Sequence, residues 1–149
     1  MHALSYALHP AILEDLGLME ALKAECARFG AVEGIPTSFR ATGDIDEPTQ
    51  ALSLCLYRVA QEALRNVARH SSASSVEVKL RVVGGSIELA VQDNGVGFDP
   101  VRKQARPSLG LAGMRQRLSL VDGELLIQSK PGNGTSIVAR APLKRGGPP

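Results

Sequence analysis

Two side chains suited to metal and proton chemistry, Glu62 and Asn66, lie four positions apart in a stretch with helical spacing. Residues four apart share one face of an α-helix, and Arg65 and Arg69 lie toward the same polar side. The Asn66 carboxamide offers an oxygen ligand to Mg²⁺, Arg69 can neutralise phosphate charge, and Glu62 can orient or deprotonate a nucleophile. This set suits a metal-bound polyphosphate, although a solvated helix face has the same composition.

A second candidate segment runs from Asp93 to Phe98, directly after a strand pattern. Gly95 and Gly97 allow the backbone to turn tightly and to approach a ligand. A carboxylate at the end of a strand can accept a hydrogen bond from an exocyclic amine such as that of adenine. An Asp-Asn-Gly sequence is also common in ordinary turns, so this segment alone does not distinguish the two interpretations.

Two further glycine-rich segments follow. Gly110-Leu111-Ala112-Gly113 opens a predicted helix, where exposed amides at the positive end of the helix dipole can bind phosphate. The run from Gly132 to Thr135 forms a predicted hairpin and leaves a hydroxyl near its end. Each segment is weak on its own, but the order and spacing of all four favour a nucleotide site.

The elements that must position these residues are indicated by hydrophobic periodicity. One helix is predicted from Pro10 to near Gly30, with an apolar stripe that includes Leu16. A longer helix is predicted from Pro48 to Arg69, with Pro48 in its first turn. A third is predicted from Met114 to Val121. The segment from Asp93 to Leu109 has no periodicity and is predicted to be a long loop.

Strands are predicted where apolar and polar residues alternate. Val76 to Val82 and Ile87 to Val91 flank Gly84-Gly85, a two-residue hairpin turn. Ile35 to Ala41 is predicted to be an edge strand, and two more strands flank the turn before Thr135. The element order predicts an α+β fold, a two-layer sandwich whose mixed, mostly antiparallel sheet carries its helices on one face.

Composition excludes several classes of protein. The chain of 149 residues is long enough for one core, and its net charge of +2 is too small to argue for nucleic acid. Cys26 and Cys55, the only cysteines, form no metal pattern and are predicted to be reduced core thiols. No apolar run reaches membrane-spanning length and no signal peptide is present. We therefore expect a soluble, cytoplasmic chain. A membrane-bound parent protein is compatible with these observations.

The four ordered segments together resemble the ATPase family shared by DNA gyrase, mismatch-repair ATPases, heat-shock chaperones and sensor histidine kinases. Glu62 to Asn66 resembles its N box, and Asp93 to Phe98 its G1 box. Gly110 to Gly113 resembles its G2 box, and Gly132 to Thr135 its terminal Gly-Thr motif.

Within that family the chain is most similar to nitrate-sensing and membrane-fluidity kinases, over residues 4–143. This narrower resemblance is carried by three sequence segments, Tyr57-Arg58-Val59-Ala60-Gln61-Glu62-Ala63-Leu64-Arg65-Asn66, Gly110-Leu111-Ala112-Gly113-Met114-Arg115-Gln116-Arg117 and Leu8-His9-Pro10-Ala11-Ile12-Leu13-Glu14-Asp15-Leu16-Gly17-Leu18.

The resemblance implies a role for each matching residue. Asp93 would pair with the adenine amino group of ATP, with Thr135 supporting it from behind. Asn66 would hold Mg²⁺ and Glu62 would be the activating catalytic residue. The nucleotide contacts implied by the family are Asn66, Arg69, His70, Asp93, Gly95, Gly97, Gly110, Leu111, Gly113 and Thr135.

The resemblance also implies a lid over the nucleotide, from Pro100 to Leu109. The lid carries three cationic side chains, Arg102, Lys103 and Arg106. Contact with phosphate is one interpretation of these charges, and solvation on the lid surface is the favoured one. The family's G2 box usually begins with a glycine two residues before Gly110, where this chain has Ser108.

The phosphorylated histidine of such kinases has no counterpart here, and we interpret His2 and His9 as structural. Residues 1–9 are expected to be the remnant of the dimerisation and phosphoacceptor helices, residues 10–143 the ATP-binding catalytic domain, and residues 144–149 a disordered tail. The expected partners are ATP, the kinase's own dimerisation domain and a downstream response regulator, with no nucleic acid. We expect the isolated chain to be a monomer.

Two alternatives stay open at this point. One is a nucleotide-sensing regulatory module without phosphoryl transfer, against which Glu62 and Asn66 argue. The other is a serine kinase of the anti-sigma-factor type, which shares the fold but whose parent lacks dimerisation helices. A gyrase-like ATPase is disfavoured because no transducer domain follows Leu143.

Overall fold

The computed structural model describes residues 10–97 and 110–143. The helices and strands in chain order are α1 (Ala11–Glu33), β1 (Thr37–Thr42), α2 (Gln50–Asn66), β2 (Val76–Val83), β3 (Ser86–Asp93), α3 (Leu111–Ser119), β4 (Glu124–Ser129) and β5 (Thr135–Pro142). A π-helical turn, Val67–Ser71, continues α2. The predicted order of helices and strands is confirmed.

The five strands form one sheet in the order β1-β2-β3-β5-β4. The β1–β2 pairing is parallel, whereas the β2–β3, β3–β5 and β4–β5 pairings are antiparallel. Gly84 and Gly85 connect β2 to β3 with φ values of 57° and 82°, which a two-residue turn of this hand requires. The predicted mixed, mostly antiparallel sheet with β1 at its edge is confirmed.

The core lies between one face of the sheet and the helices. The inward residues of β2 and β3 are Val76, Val78, Leu80, Ile87, Leu89 and Val91, all buried. On α2 the buried residues include Leu56 and Leu64, each worth about 2 kcal/mol of burial. Cys26 and Cys55 are free, buried thiols, as predicted. Across residues 10–97 and 110–143, no helix is both long and apolar enough to span a bilayer.

Helix α1 differs from its prediction at Gly17. This residue has φ 86° and ψ 174°, so the helix is kinked there. The kink turns Leu16 out of the predicted apolar stripe, and Leu16 is 60% exposed. The Glu47 carboxylate accepts hydrogen bonds from the Leu18 amide at 3.1 and 3.2 Å and caps the second half of the helix. The helix then ends at Glu33, beyond the predicted end at Gly30.

Helix α2 is shorter than predicted at both ends. It begins at Gln50, after Thr49, whose hydroxyl accepts the Leu52 amide at 3.2 Å, so Pro48 lies outside the first turn. The α-helical hydrogen bonding ends at Asn66, and the wider π-helical turn carries the chain on to Ser71. This turn brings Ser71 against the segment that follows β3, which is where the candidate site begins.

Candidate functional site

The Asp93 carboxylate lies at the end of β3 on the core-facing side of the sheet, the same face of the strand as buried Val91. It is 8% exposed and accepts a hydrogen bond from the Gly95 amide at 2.7 Å. Burial raises the pKa of the Asp93 carboxyl above its ordinary value, and hydrogen bonds from the backbone of Gly95 and Thr135 oppose that rise. The structure thus holds one buried acidic acceptor in a fixed orientation.

The segment after Asp93 is fastened by backbone contacts to two other elements. The Val96 amide donates to the Ser71 carbonyl at 2.7 Å, and the Val96 carbonyl accepts from the Gly132 amide at 2.5 Å. The Asn94 side chain accepts from the amides of Ser74 and Ser75 at 2.9 and 3.0 Å. Asn94 is therefore an anchor for this segment, a role that the sequence interpretation missed.

Gly95 and Gly97 are required by these close approaches. A Cβ on Gly95 would overlap the Ser71 carbonyl, and a Cβ on Gly97 would overlap the Lys130 carbonyl. Gly97 also has a φ of 67°, which side chains rarely adopt. The two glycines thus allow the segment to pack against the π-helical turn and the last hairpin, and their predicted contact with a base stays a prediction.

Three polar side chains form a row across the core-facing end of the sheet. Thr135 pairs across the strands with Asp93 on one side and Ser129 on the other. The hydroxyls of Thr135 and Ser129 are 2.8 Å apart. The row lines a cavity of about 520 Å³. Ser129 was not predicted, although its place six residues before Thr135 on the same side of the hairpin marks it in the sequence.

The second part of the site lies on α2. Asn66 is 8% exposed, and Glu62 forms an ion pair with Arg65 at 3.4 Å. A Cβ on Gly110 would lie 2.8 Å from the Glu62 carboxylate, so Gly110 brings the start of α3 directly against this side chain. The structure therefore places the segment that holds Glu62 in contact with the segment that begins at Gly110, as it does the other two segments through Val96 and Gly132.

Arg69 and His70 lie in the π-helical turn, and both are exposed. Arg69 lines a cavity of about 740 Å³, together with Glu62, Gly110 and Gly113. His70 is outside the described lining of this cavity. The structure thus brings Arg69 to the same space as Glu62 and does not bring His70 there.

Helix α3 is preceded at its N-cap position by Gly110, which has a φ of 66° and supplies no side-chain cap to the first-turn amides. These amides lie at the positive end of the helix dipole, where anions are favoured. Leu111 is 8% exposed and belongs to the hydrophobic core, so only its backbone can serve a ligand. A Cβ on Gly113 would have nothing within 4 Å, which leaves room beside this turn.

Several predicted features fall outside the described residues. These are Phe98, the Pro100 to Leu109 lid with Arg102, Lys103 and Arg106, and the unusual Ser108. His2, His9 and the predicted disordered tail, residues 144–149, also lie outside.

The two parts of the site have complementary chemistry. At the end of β3 the Asp93 and Thr135 row offers hydrogen-bond acceptors in a sheltered position. At the cavity that Arg69 of the π-helical turn shares with the start of α3, the Arg69 guanidinium and the uncapped first-turn amides offer positive charge. This arrangement fits a nucleotide, with its base at the first end and its phosphates at the second.

Comparison with known families identifies an ATPase family. Residues 52–145 match the family described as Histidine kinase-, DNA gyrase B-, and HSP90-like ATPase. The chain belongs to this family, and it corresponds to the ATPase catalytic domain of histidine kinases.

Curated relatives are longer sensor kinases. The sensor histidine kinase MctS of Rhizobium johnstonii is 43% identical over 93% of this chain and 30% of the relative. The signal transduction histidine-protein kinase/phosphatase DegS of Brevibacillus brevis is 36% identical over 93% of this chain and 36% of the relative. This chain thus spans about a third of the length of these relatives.

Solved structures support the fold. The histidine kinase domain of the blue-light activated kinase of Erythrobacter litoralis aligns with a TM-score of 0.67 at 22% identity, covering 85% of this chain and 61% of that one. The catalytic domain of histidine kinase ThkA aligns with a TM-score of 0.65 at 12% identity, covering 85% and 90%. At these identities the likeness concerns the fold alone.

Proposed function

We propose that this chain positions ATP and Mg²⁺ for transfer of the γ-phosphoryl group to a histidine outside the chain, as part of a two-component sensor kinase. The observation that carries the proposal is the buried Asp93 carboxylate, held in place by the backbone of Gly95 and Thr135. A buried carboxylate needs donors to complete its hydrogen bonding, and the exocyclic amine of adenine supplies them.

At the phosphate end, Arg69 and the first-turn amides of α3 neutralise and orient the polyphosphate. The cavity that they share with Glu62 also extends along Arg58 and Arg117. Phosphoryl transfer needs positioning and charge stabilisation more than covalent participation by the protein. This end of the site supplies both.

The residues present fit a nucleotide-bound magnesium ion. Among the described residues, no cluster of three or more His, Cys, Asp or Glu side chains is placed to hold a metal. Mg²⁺ bound to substrate phosphates keeps several waters and takes only one or two protein ligands. The Asn66 carboxamide, buried on the face of α2 that carries Glu62, provides such a ligand. When bound, the ion would neutralise charge on the phosphates.

Glu62 is the proposed activating residue. Its carboxylate lies between Arg65 and the start of α3, where the terminal phosphate would sit. A carboxylate in this position can orient the incoming imidazole or accept its proton. The large cavity leaves space for that imidazole to approach beside Gly113.

The phosphoacceptor would come from a dimerisation domain, and a response regulator would receive the phosphoryl group. We propose that residues 1–9 are the end of the dimerisation helices and residues 10–143 the ATP-binding domain. This chain matches about a third of the length of each of these relatives. Proteins of that length have room for those further segments.

A chimera tests phosphoryl transfer. The aligned segment of MctS is replaced by this chain, and the product is incubated with γ-labelled ATP. We expect an acid-labile phosphohistidine. Glu62→Gln should lower its rate of formation by about a hundredfold or more and change ATP affinity by less than about threefold. Glu20→Gln, at an exposed position on α1, is the matched control and should leave the rate unchanged.

Two outcomes of this experiment would contradict the proposal. A folded chimera that binds ATP and forms no phosphohistidine would show that the chain does not support transfer. An unchanged rate with Glu62→Gln would show that Glu62 is not the activating residue. It would not affect the proposal that the chain binds ATP.

A further inference from the structure

The cavity beside Glu62 is longer than the phosphate end of the site requires. It follows one face of α2 and of the π-helical turn, where Arg58, Glu62, Arg65 and Arg69 recur at helical spacing. At the helical rise of about 1.5 Å per residue, Arg58 and Arg69 lie roughly 16 Å apart along this face, a span greater than that of a triphosphate chain. Phosphates held by Arg69 therefore leave the Arg58 end of the cavity open to a second ligand.

Three arginines from three helices meet at that end. Arg28 lies on α1, Arg58 on α2 and Arg117 on α3, and all three line the cavity. Burial raises the pKa of the Tyr57 hydroxyl, and the charges of Arg58 and Arg28 oppose that rise. Burial also raises the pKa of the Cys55 thiol, two residues earlier on α2, and the Arg117 charge opposes it. We call Arg28, Arg58 and Arg117 the cationic cluster.

The cationic cluster is oriented by the packing of α1 against α2. The Glu25 carboxylate is 6% exposed and accepts hydrogen bonds from the Arg28 guanidinium and, at 3.4 Å, from the Tyr57 hydroxyl. Arg58 donates to the Gln61 side chain at 2.9 Å. Two of the three guanidinium groups are thus held by neighbouring side chains before any ligand binds, which lowers the entropic cost of binding one.

The charge of the cavity favours an acidic ligand. Among the described residues, five arginines and three glutamates line it. Two of these glutamates, Glu25 and Glu62, already form ion pairs with arginines of the same cavity. Because guanidinium groups bind carboxylates with parallel hydrogen bonds, a cluster of three of them suits the side chain of an aspartate or a glutamate.

The direction of phosphoryl transfer indicates which acidic side chain can reach the cluster. The attacking and leaving groups lie roughly in line on opposite sides of the transferred phosphorus. In the proposed site the base and Arg69 lie toward the end of α2, so the leaving group points that way. The incoming histidine must approach from the opposite side, where Arg58 lies one helical turn from Glu62.

We propose that the cationic cluster binds an acidic side chain of the segment that carries the acceptor histidine, within two helical turns of that histidine, and so aligns the imidazole with the terminal phosphate. The inference rests on the proposed function, and it assigns to Arg28, Arg58 and Arg117 a positioning role toward the partner segment. The cluster needs no contact with ATP.

The chimera of this chain with MctS tests the cluster. Arg58→Gln should lower the rate of phosphohistidine formation at saturating ATP by about tenfold, the scale of a hydrogen bond to a charged group. The same substitution should change the ATP affinity of the isolated chain, measured by calorimetry, by less than about threefold. Arg40→Gln is the matched control, because Arg40 is an exposed arginine on β1, outside the lining of this cavity, and it should change neither quantity.

A charge swap distinguishes binding of an acidic partner from a structural role. Arg58→Glu should repel the acidic side chain and lower the rate further than Arg58→Gln does. Each acidic residue within two helical turns of the acceptor histidine of MctS is then changed to lysine in the Arg58→Glu chimera. We expect one of these changes to raise the rate by about fivefold or more, the scale of coupling between two residues in contact.

Three results would overturn the inference. The first is an unchanged rate in a folded Arg58→Gln chimera, with folding checked by thermal melting. The second is a loss of ATP affinity as large as the loss of rate, which would place Arg58 on the phosphates. The third is that no lysine change restores transfer to the Arg58→Glu chimera. If the unmodified chimera forms no phosphohistidine, the proposed function fails instead.

Discussion

At the scale of single residues, Asp93 is the buried acid at the proposed base-binding end of the site. Its burial favours the protonated form, while the hydrogen bonds from the backbone of Gly95 and Thr135 favour the charged form. Burial is the larger effect, so the folded protein holds this proton more tightly than the unfolded chain does. A carboxylate kept partly desolvated gains more from an amine donor than a solvated one would.

This raised pKa has a consequence for stability. A group that binds its proton more tightly in the folded state stabilises the fold at low pH, and the contribution is lost as pH rises through the folded-state pKa. Asp93→Asn removes the titration. We expect the free energy of unfolding of Asp93→Asn, relative to the unmodified chain, to increase from pH 3.8, the ordinary pKa, upward, and to level off above the folded-state pKa.

Urea unfolding of both proteins across this pH range measures the difference. A difference that is constant, or that decreases as pH rises, would show that burial does not dominate at Asp93.

At the scale of elements, three backbone segments meet at Val96. The π-helical turn contacts this segment through Ser71 and the last hairpin contacts it through Gly132. The base end of the site is thus built where α2 ends, β3 ends and the β4–β5 turn begins. Loss of one of these close contacts should weaken the packing of the π-helical turn, the segment after β3 and the last hairpin against one another.

Gly97→Ala tests this junction. The substitution places a Cβ against the Lys130 carbonyl at a positive φ, and we expect it to lower the free energy of unfolding by about 2–4 kcal/mol. Gly132→Ala is the matched control, because Gly132 also has a positive φ, 87°, but open space around its Cβ position. It should cost only about 1 kcal/mol.

Chemical denaturation of both variants provides the comparison. Equal losses would mean that backbone strain alone matters and that the contact between the two loops contributes nothing.

Much of this arrangement follows from local patterns in the sequence. The alternation in β2 and β3 predicts which face is buried, and Asp93 falls on that face because it lies two residues after Val91. The Gly17 kink is not predictable from periodicity, since the apolar spacing continues through it. The cap that stabilises the kink comes from Glu47, a residue distant in the chain.

Other features depend on pairings that form only in three dimensions. Ser129 and Thr135 meet because β4 and β5 pair in one particular register. The close approach of Gly110 to Glu62 depends on how α3 packs beside α2. Glycine at position 110 signals a helix start, but its partner cannot be read from neighbouring residues.

At the scale of the whole molecule, one sheet and one layer of helices place two chemically different ends of a site along α2. In the function we propose, the end beside β3 accepts hydrogen bonds from a base, and the end beside α3 offers positive charge to phosphates. The family that the chain matches is one of ATPases. The central claim is therefore that the chain binds ATP with adenine against Asp93.

The most direct test is calorimetric titration of ATP, with and without Mg²⁺, into this chain and into Asp93→Asn. Asp46→Asn, at an exposed position, serves as the control. The account predicts micromolar binding to the unmodified chain and to the control, and a loss of roughly tenfold to a hundredfold in Asp93→Asn, the scale of a hydrogen bond to a charged group. A folded chain that binds no ATP, or Asp93→Asn binding as tightly as the unmodified chain, would contradict it.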